Sequence, residues 1–122
     1  MDMNLREELL HRGWFTEKQM ATCEANHGAS GDGKPVVKLF NAYGNGTWYI
    51  SEVDSDMVAY GMCYITNIEL GYVYLGELLD ADIHGKAMIQ RDRYIKIPKT
   101  WDGVRQQIQE HHGLDRLEEQ YA

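Results

Sequence analysis

The chain has 122 residues, 43% hydrophobic and 25% charged, which fits one hydrophobic core and excludes both a second domain and a disordered chain. Its opening, MDMNLREELLHRGW, lacks the apolar run of a signal peptide, and no stretch approaches the roughly 18 apolar residues of a membrane span. With only two cysteines, Cys23 and Cys63, forty positions apart, the expectation is a soluble cytoplasmic protein with reduced thiols rather than a secreted disulfide framework.

The first elements in chain order are helical. Asn4 with Glu7 has the form of a capping box, Leu5 and Leu9 share a face, and Gly13 ends the helix. Thr16 with Gln19 repeats the box, and Phe15 with Met20 matches a hydrophobic staple, so a second helix is predicted to about Asn26, with Gly28 closing it. Asn26 to Pro35 carries four glycines and a proline and reads as a loop.

From Pro35 the periodicity becomes β. Strands are predicted over Pro35 to Asn41 and Gly46 to Val53 with the hairpin signal YGNG between them, then over Met57 to Ile65 and Glu69 to Leu75. One or two helical turns over Glu77 to Asp82 and an alternating edge strand over Arg93 to Ile97, stopped by Pro98, follow. Thr100 caps a last helix with the stripe Trp101, Val104 and Ile108, and Leu114, Leu117 and Tyr121 repeat that spacing in the tail. The expected fold is α+β: an antiparallel meander of four to five strands, with N- and C-terminal helices packed on one side. Residues 1–34 form its helical start, 35–98 its sheet and 99–122 its C-terminal helix and tail.

Several apparent motifs have simpler explanations. Gly28 to Lys34 matches G-x-x-x-x-G-K, but Pro35 stands where a phosphate loop needs Ser or Thr, and a strand follows instead of a helix. Cys23 and His27, four apart, have no finger-like spacing with His84, His111 or His112. Asp54-Ser55-Asp56 begins like a calcium loop but has Ala59 and Ile65 where Gly and Glu belong, which leaves turn chemistry. No cofactor, metal or catalytic constellation is therefore expected. An enzyme would require a pocket gathering residues such as Cys63, His84 and Tyr94 under the Asn26–Lys34 loop.

Charge is zoned. Residues 39 to 85 hold Glu52, Asp54, Asp56, Glu69, Glu77, Asp80 and Asp82 with no Lys or Arg, which equals the whole net charge of −7. Lys86, Arg91, Arg93, Lys96 and Lys99, with Tyr94 among them, follow as a basic stretch, but the adjacent acids disfavour direct nucleic-acid binding.

The strings Gly46-Thr47-Trp48-Tyr49-Ile50, Glu69 to Leu78 and Gln90-Arg91-Asp92-Arg93-Tyr94, in that order, resemble the domain-of-unknown-function 2958 family, small proteins of bacterial plasmids, phages and other mobile elements. The resemblance spans about Pro35 to Pro98, including Val37, Phe40, Gly61, Gly85 and Ile89. It implies a mobile-element setting and no enzyme activity.

The function expected from charge and resemblance together is a non-enzymatic acidic module that binds a protein with a basic nucleic-acid surface. An inhibitor of a host defence nuclease or CRISPR complex is one such protein, and an immunity or accessory protein neutralising a basic toxin is the alternative. The expected contact residues are the seven acids, with Glu52, Asp54 and Asp56 spaced about 6.7 Å apart if their strand stays extended.

Overall fold

The computed structural model describes residues 3–29 and 32–112. Helices α1 (Leu5–His11) and α2 (Glu17–Ala25) come first, followed by strands β1 (Val37–Asn41), β2 (Thr47–Val53), β3 (Val58–Tyr64) and β4 (Ile68–Tyr74). Helix α3 (Leu75–His84), strand β5 (Ile89–Arg91) and helix α4 (Trp101–His112) complete the chain. Tail residues Leu114, Leu117 and Tyr121 lie outside the described residues.

Both N-terminal caps form as their residues dictate. Asn4 accepts from the Glu7 amide, and Thr16 and Gln19 exchange the two bonds of a full capping box. After α1 the Trp14 amide reaches back to Leu9 O and the Gly13 amide to Leu10 O, with Gly13 at φ +75°. This Schellman closure needs a left-handed residue that glycine supplies at little cost, and it brings Trp14 and Leu9 together in the core.

The five strands form one antiparallel sheet in the order β4-β3-β2-β1-β5. Four of them are a meander; α3 then carries the chain to the opposite edge, where β5 pairs with β1. The expected strand at Arg93 to Ile97 is replaced by β5 at Ile89–Arg91. The reason is Asp92: its amide makes the last bond to Lys38 O, and its Oδ1 captures the Tyr94 and Ile95 amides at 3.0 and 3.2 Å, folding the chain off the ladder. Asn41 fixes the register at this edge, with its Oδ1 accepting from the amides of Tyr43 and Met88.

Helices cover both sides of the sheet, not one. Leu9 from α1, Trp14 and Phe15 from the turn after it, and Met20 and Cys23 from α2, with Leu75 and Leu78 from α3, pack on Val37, Leu39, Trp48, Ile50 and Ala59. The other side presents Tyr49 and Met62, and there the α4 residues Val104 and Ile108 are buried. Helix α4 is fastened by Tyr49, whose hydroxyl donates to Gln107 Oε1 at 2.6 Å, while Gln107 Nε2 donates to Lys96 O. Its apolar stripe has no place on the first side, which α1 to α3 already fill.

Trp48 is 7% exposed, between β1 and β3. Trp48→Ala is expected to lower unfolding free energy by about 3–5 kcal/mol, as large-to-small core changes do; denaturant titration of both proteins checks it, and an unchanged midpoint would mean that the indole packs against nothing.

Candidate interaction surface

The seven acids of the 39–85 window do not act as one group. Glu52 is 4% exposed: it follows a bulge that keeps Val53 on the same side as Ile50, and its Oε1 accepts from the Gly28 amide at 3.1 Å with His27 Nδ1 at 3.9 Å. It is an interior anchor for the end of α2, which corrects its assignment to an exposed row. Asp54 is also structural. Its Oδ1 accepts from the Asp56 and Val58 amides, both at 2.9 Å, and so shapes the β2–β3 turn. Asp82 is paired with Arg12 at 3.2 Å, joining α3 to α1. Exposed carboxylates remain at Asp56, Glu69, Glu77 and Asp80.

These four lie around β4 and its continuation into α3. Asp56 borders the same surface cleft as Tyr74, and the Met57 carbonyl beside it accepts the Leu75 amide at 3.1 Å. Glu77 occupies the first turn of α3, and Asp80 follows one turn on. Glu69 sits near the other end of β4, opposite Cys63. Glu69 faces the α1–α3 side of the sheet, whereas on the α4 side β4 exposes large apolar side chains: Leu70, Tyr72 at 70% and Tyr74. Tyr72 stacks edge-on against Tyr60 at 5.1 Å between centroids, and Tyr60 meets Trp101 at 6.3 Å. A row of rings thus extends from the start of α4 to the β4 edge of the sheet.

A second feature is a polar cavity of about 360 Å³ between the β1–β2 hairpin and the end of α4. Lys38, its side chain only 8% exposed, donates to Asp92 Oδ2 at 3.3 Å and lies 5.5 Å from the centre of the Tyr49 ring. Burial by itself would raise the Asp92 carboxyl, but the Tyr94 amide, the charge and hydrogen bond of Lys38 and the Ile95 amide together hold it below the ordinary range. Burial, then the charges of His111 and Lys38, lower the His112 pKa. Burial, then the Asp92 charge, push the Tyr49 hydroxyl up to about 12. Lys38 was not legible as a site residue, since it appears as one cation in the apolar run Val36 to Phe40.

The Gly28 to Lys34 run connects α2 to β1, the reverse of the strand-to-helix order that cradles phosphates. Among the described residues no group of three or more His, Cys, Asp or Glu stands close enough to hold a metal ion. Nor do Cys63, His84 and Tyr94 line a common cavity there: Cys63 is on β3, His84 ends α3 and Tyr94 projects almost fully into solvent beyond β5.

A family model described as a protein of unknown function (DUF2958) matches residues 5–101. The chain belongs to the DUF2958 family. No curated protein and no solved structure matches it. The DUF2958 match covers β4, its exposed apolar row and the Lys38–Asp92 pair, but ends at the first residue of α4, so His111 and His112 lie beyond it. Among the described residues no helix is long and apolar enough to cross a membrane.

Asp92→Asn leaves the Lys38 charge buried without its counterion and is expected to cost about 3 kcal/mol at neutral pH. Because the folded Asp92 pKa is depressed below its ordinary 3.8, its contribution is complete above that value and lost as pH falls through the lower folded one. Urea titrations across this acid range should therefore show wild type losing its advantage over the variant, and a constant difference would remove the pair as its source. For the thiols, burial, then the charges of Glu24 and Glu52, push Cys23 up to about 12, whereas burial and then Glu69 raise the less buried Cys63. Iodoacetamide should label Cys63 first, with Cys23 reacting only on unfolding; peptide mass mapping against time reads the order.

Proposed function

We propose that this DUF2958 protein is a non-enzymatic, acidic protein-binding module whose contact surface is the β4 side of the sheet with the start of α3. The observation that carries the reading is that edge strand β4 exposes Leu70, Tyr72 and Tyr74 on one face and Glu69 on the other, with exposed Asp56, Glu77 and Asp80 near its end, in a stretch of sequence that holds no Lys or Arg. Apolar and aromatic side chains supply contact area, and uncompensated carboxylates steer a basic partner toward it. The target class that fits is a protein with a basic nucleic-acid channel, as in a host defence nuclease or CRISPR complex. What supports that finer assignment is the charge of the surface and the mobile-element setting implied by the resemblance.

The residues to test differ from those the bare sequence singled out, because Glu52 and Asp54 hold the fold. Asp56→Asn, Glu69→Gln and Glu77→Gln together should leave stability within about 0.5 kcal/mol of wild type, as exposed substitutions usually do. They should also slow association with a target captured from host extract and flatten its salt dependence. Lys96→Gln with Lys99→Gln is the control and should bind like wild type. Association rates at low and high salt decide the matter: a triple variant indistinguishable from wild type would mean that these carboxylates only solvate their surface.

A further inference from the structure

Among the described residues strand β4 ends the sheet and hydrogen-bonds to β3 alone. Its seven residues pair one-to-one with β3 without a register shift, so the outer edge is a regular row of amides and carbonyls. Proteins usually guard such an edge with lysine, proline, a bulge or a covering segment. Ile68–Tyr74 has none of the first three, and its single charge is Glu69.

Gly71, at the middle of this strand, has no internal reason to be glycine. A Cβ built there meets nothing within 4 Å, and its φ is not left-handed. Gly61, its partner across the ladder, is different, because a Cβ on it would overlap the Tyr49 carbonyl. A mid-strand glycine weakens a strand, and where no bend or bulge explains it, close approach of another backbone is a common cause. The two glycines also leave a notch of about 200 Å³, walled by Trp48, Ile50, Cys63 and Val73 and rimmed by Glu69. It has the size and polarity to hold one large apolar side chain.

We propose that β4 takes up an extended segment of a basic partner protein by strand addition, with an apolar side chain of that segment seated over Gly61 and Gly71. This rests on the protein-binding reading above and gives it a mode. Main-chain hydrogen bonds along the edge supply affinity, and the notch selects the anchor residue. The rim chooses the sign of the flanking charge: Glu69 borders the notch, Glu77 follows the strand, and no Lys or Arg occurs between residues 39 and 85. A second copy of this chain, itself at −7, is a poorer occupant.

The test uses the full chain and a synthetic peptide of about ten residues, capped at both ends, that alternates lysine with valine around a central phenylalanine. Binding should slow amide exchange at every second residue of β4 and slow alkylation of Cys63. The same peptide N-methylated at alternate amides should bind about tenfold more weakly, as should unmethylated peptide to Gly71→Leu, which fills the notch. Gly71→Ala, with room for its methyl, is the milder companion and should fall between. Failure of the unmethylated peptide to bind would overturn the proposal. So would binding indifferent to N-methylation and to both Gly71 variants, although the protein-binding reading would survive if the captured target still responded to the triple carboxylate variant. Concentration-dependent self-association with the alternating protection pattern in the absence of peptide would assign the edge to a second copy and overturn it as well.

Discussion

Every residue of β2, from Thr47 to Val53, is buried, and that condition places the other elements. A central strand buried on both sides requires cover on both sides. Helices α1, α2 and α3 provide it over Trp48 and Ile50, and α4 provides it over Tyr49. The bulge after Ile50 belongs to the same requirement, because it returns Val53 to the α1–α3 side and brings Glu52 to the end of α2, where the Gly28 amide meets it.

Several charged groups drawn into this interior have structural partners, although Glu52 Oε2 and Trp101 Nε1 are buried without a hydrogen-bond partner among the described residues. Lys38 alternates with Val37 and Leu39 and so falls beneath α4, where Asp92 and the Tyr49 ring accommodate its charge. Asp92 simultaneously ends β5 and turns the chain toward α4. Arg91, one residue earlier, donates to Gly13 O at 2.9 Å and ties β5 to the α1–α2 turn. Two adjacent residues at the end of β5 thus tie it to the α1–α2 turn and to β1.

The sheet is asymmetric at its edges. The β5 edge runs into the Asp92 turn, whereas β4 remains a regular strand with exposed rings and nearby carboxylates. Exposed apolar patches of this kind are a common feature of interaction sites. For the proposed strand addition, its charge and its edge backbone are complementary properties: the first would act at long range on association, the second at contact on register and orientation.

Much of the local structure was legible in the sequence because its causes are local. The Asn4 and Thr16 caps, the Gly13 stop, the four-strand meander and the Thr100 start of α4 depend on residues within a few positions of one another. The Trp48 strand was legible for a related reason, since a short run of aromatic and β-branched residues bounded by turn signals marks a strand even when its cover is unknown. Where β5 pairs, which side α4 takes and which acids stay exposed are set by contacts distant along the chain. Asp92 meets Lys38 from 54 positions away and stops the strand predicted at Arg93 to Ile97. Tyr49 reaches Gln107 across 58 and fixes α4 on the side opposite the other helices. Glu52 meets Gly28 across 24, which removes it from a surface that composition alone assigned it to. Composition and order along the chain determined that the protein would be acidic, α+β and without a basic residue from 39 to 85; only the tertiary structure decided which of those charges face solvent, because burial depends on the opposing layer and not on the residue's neighbours in sequence.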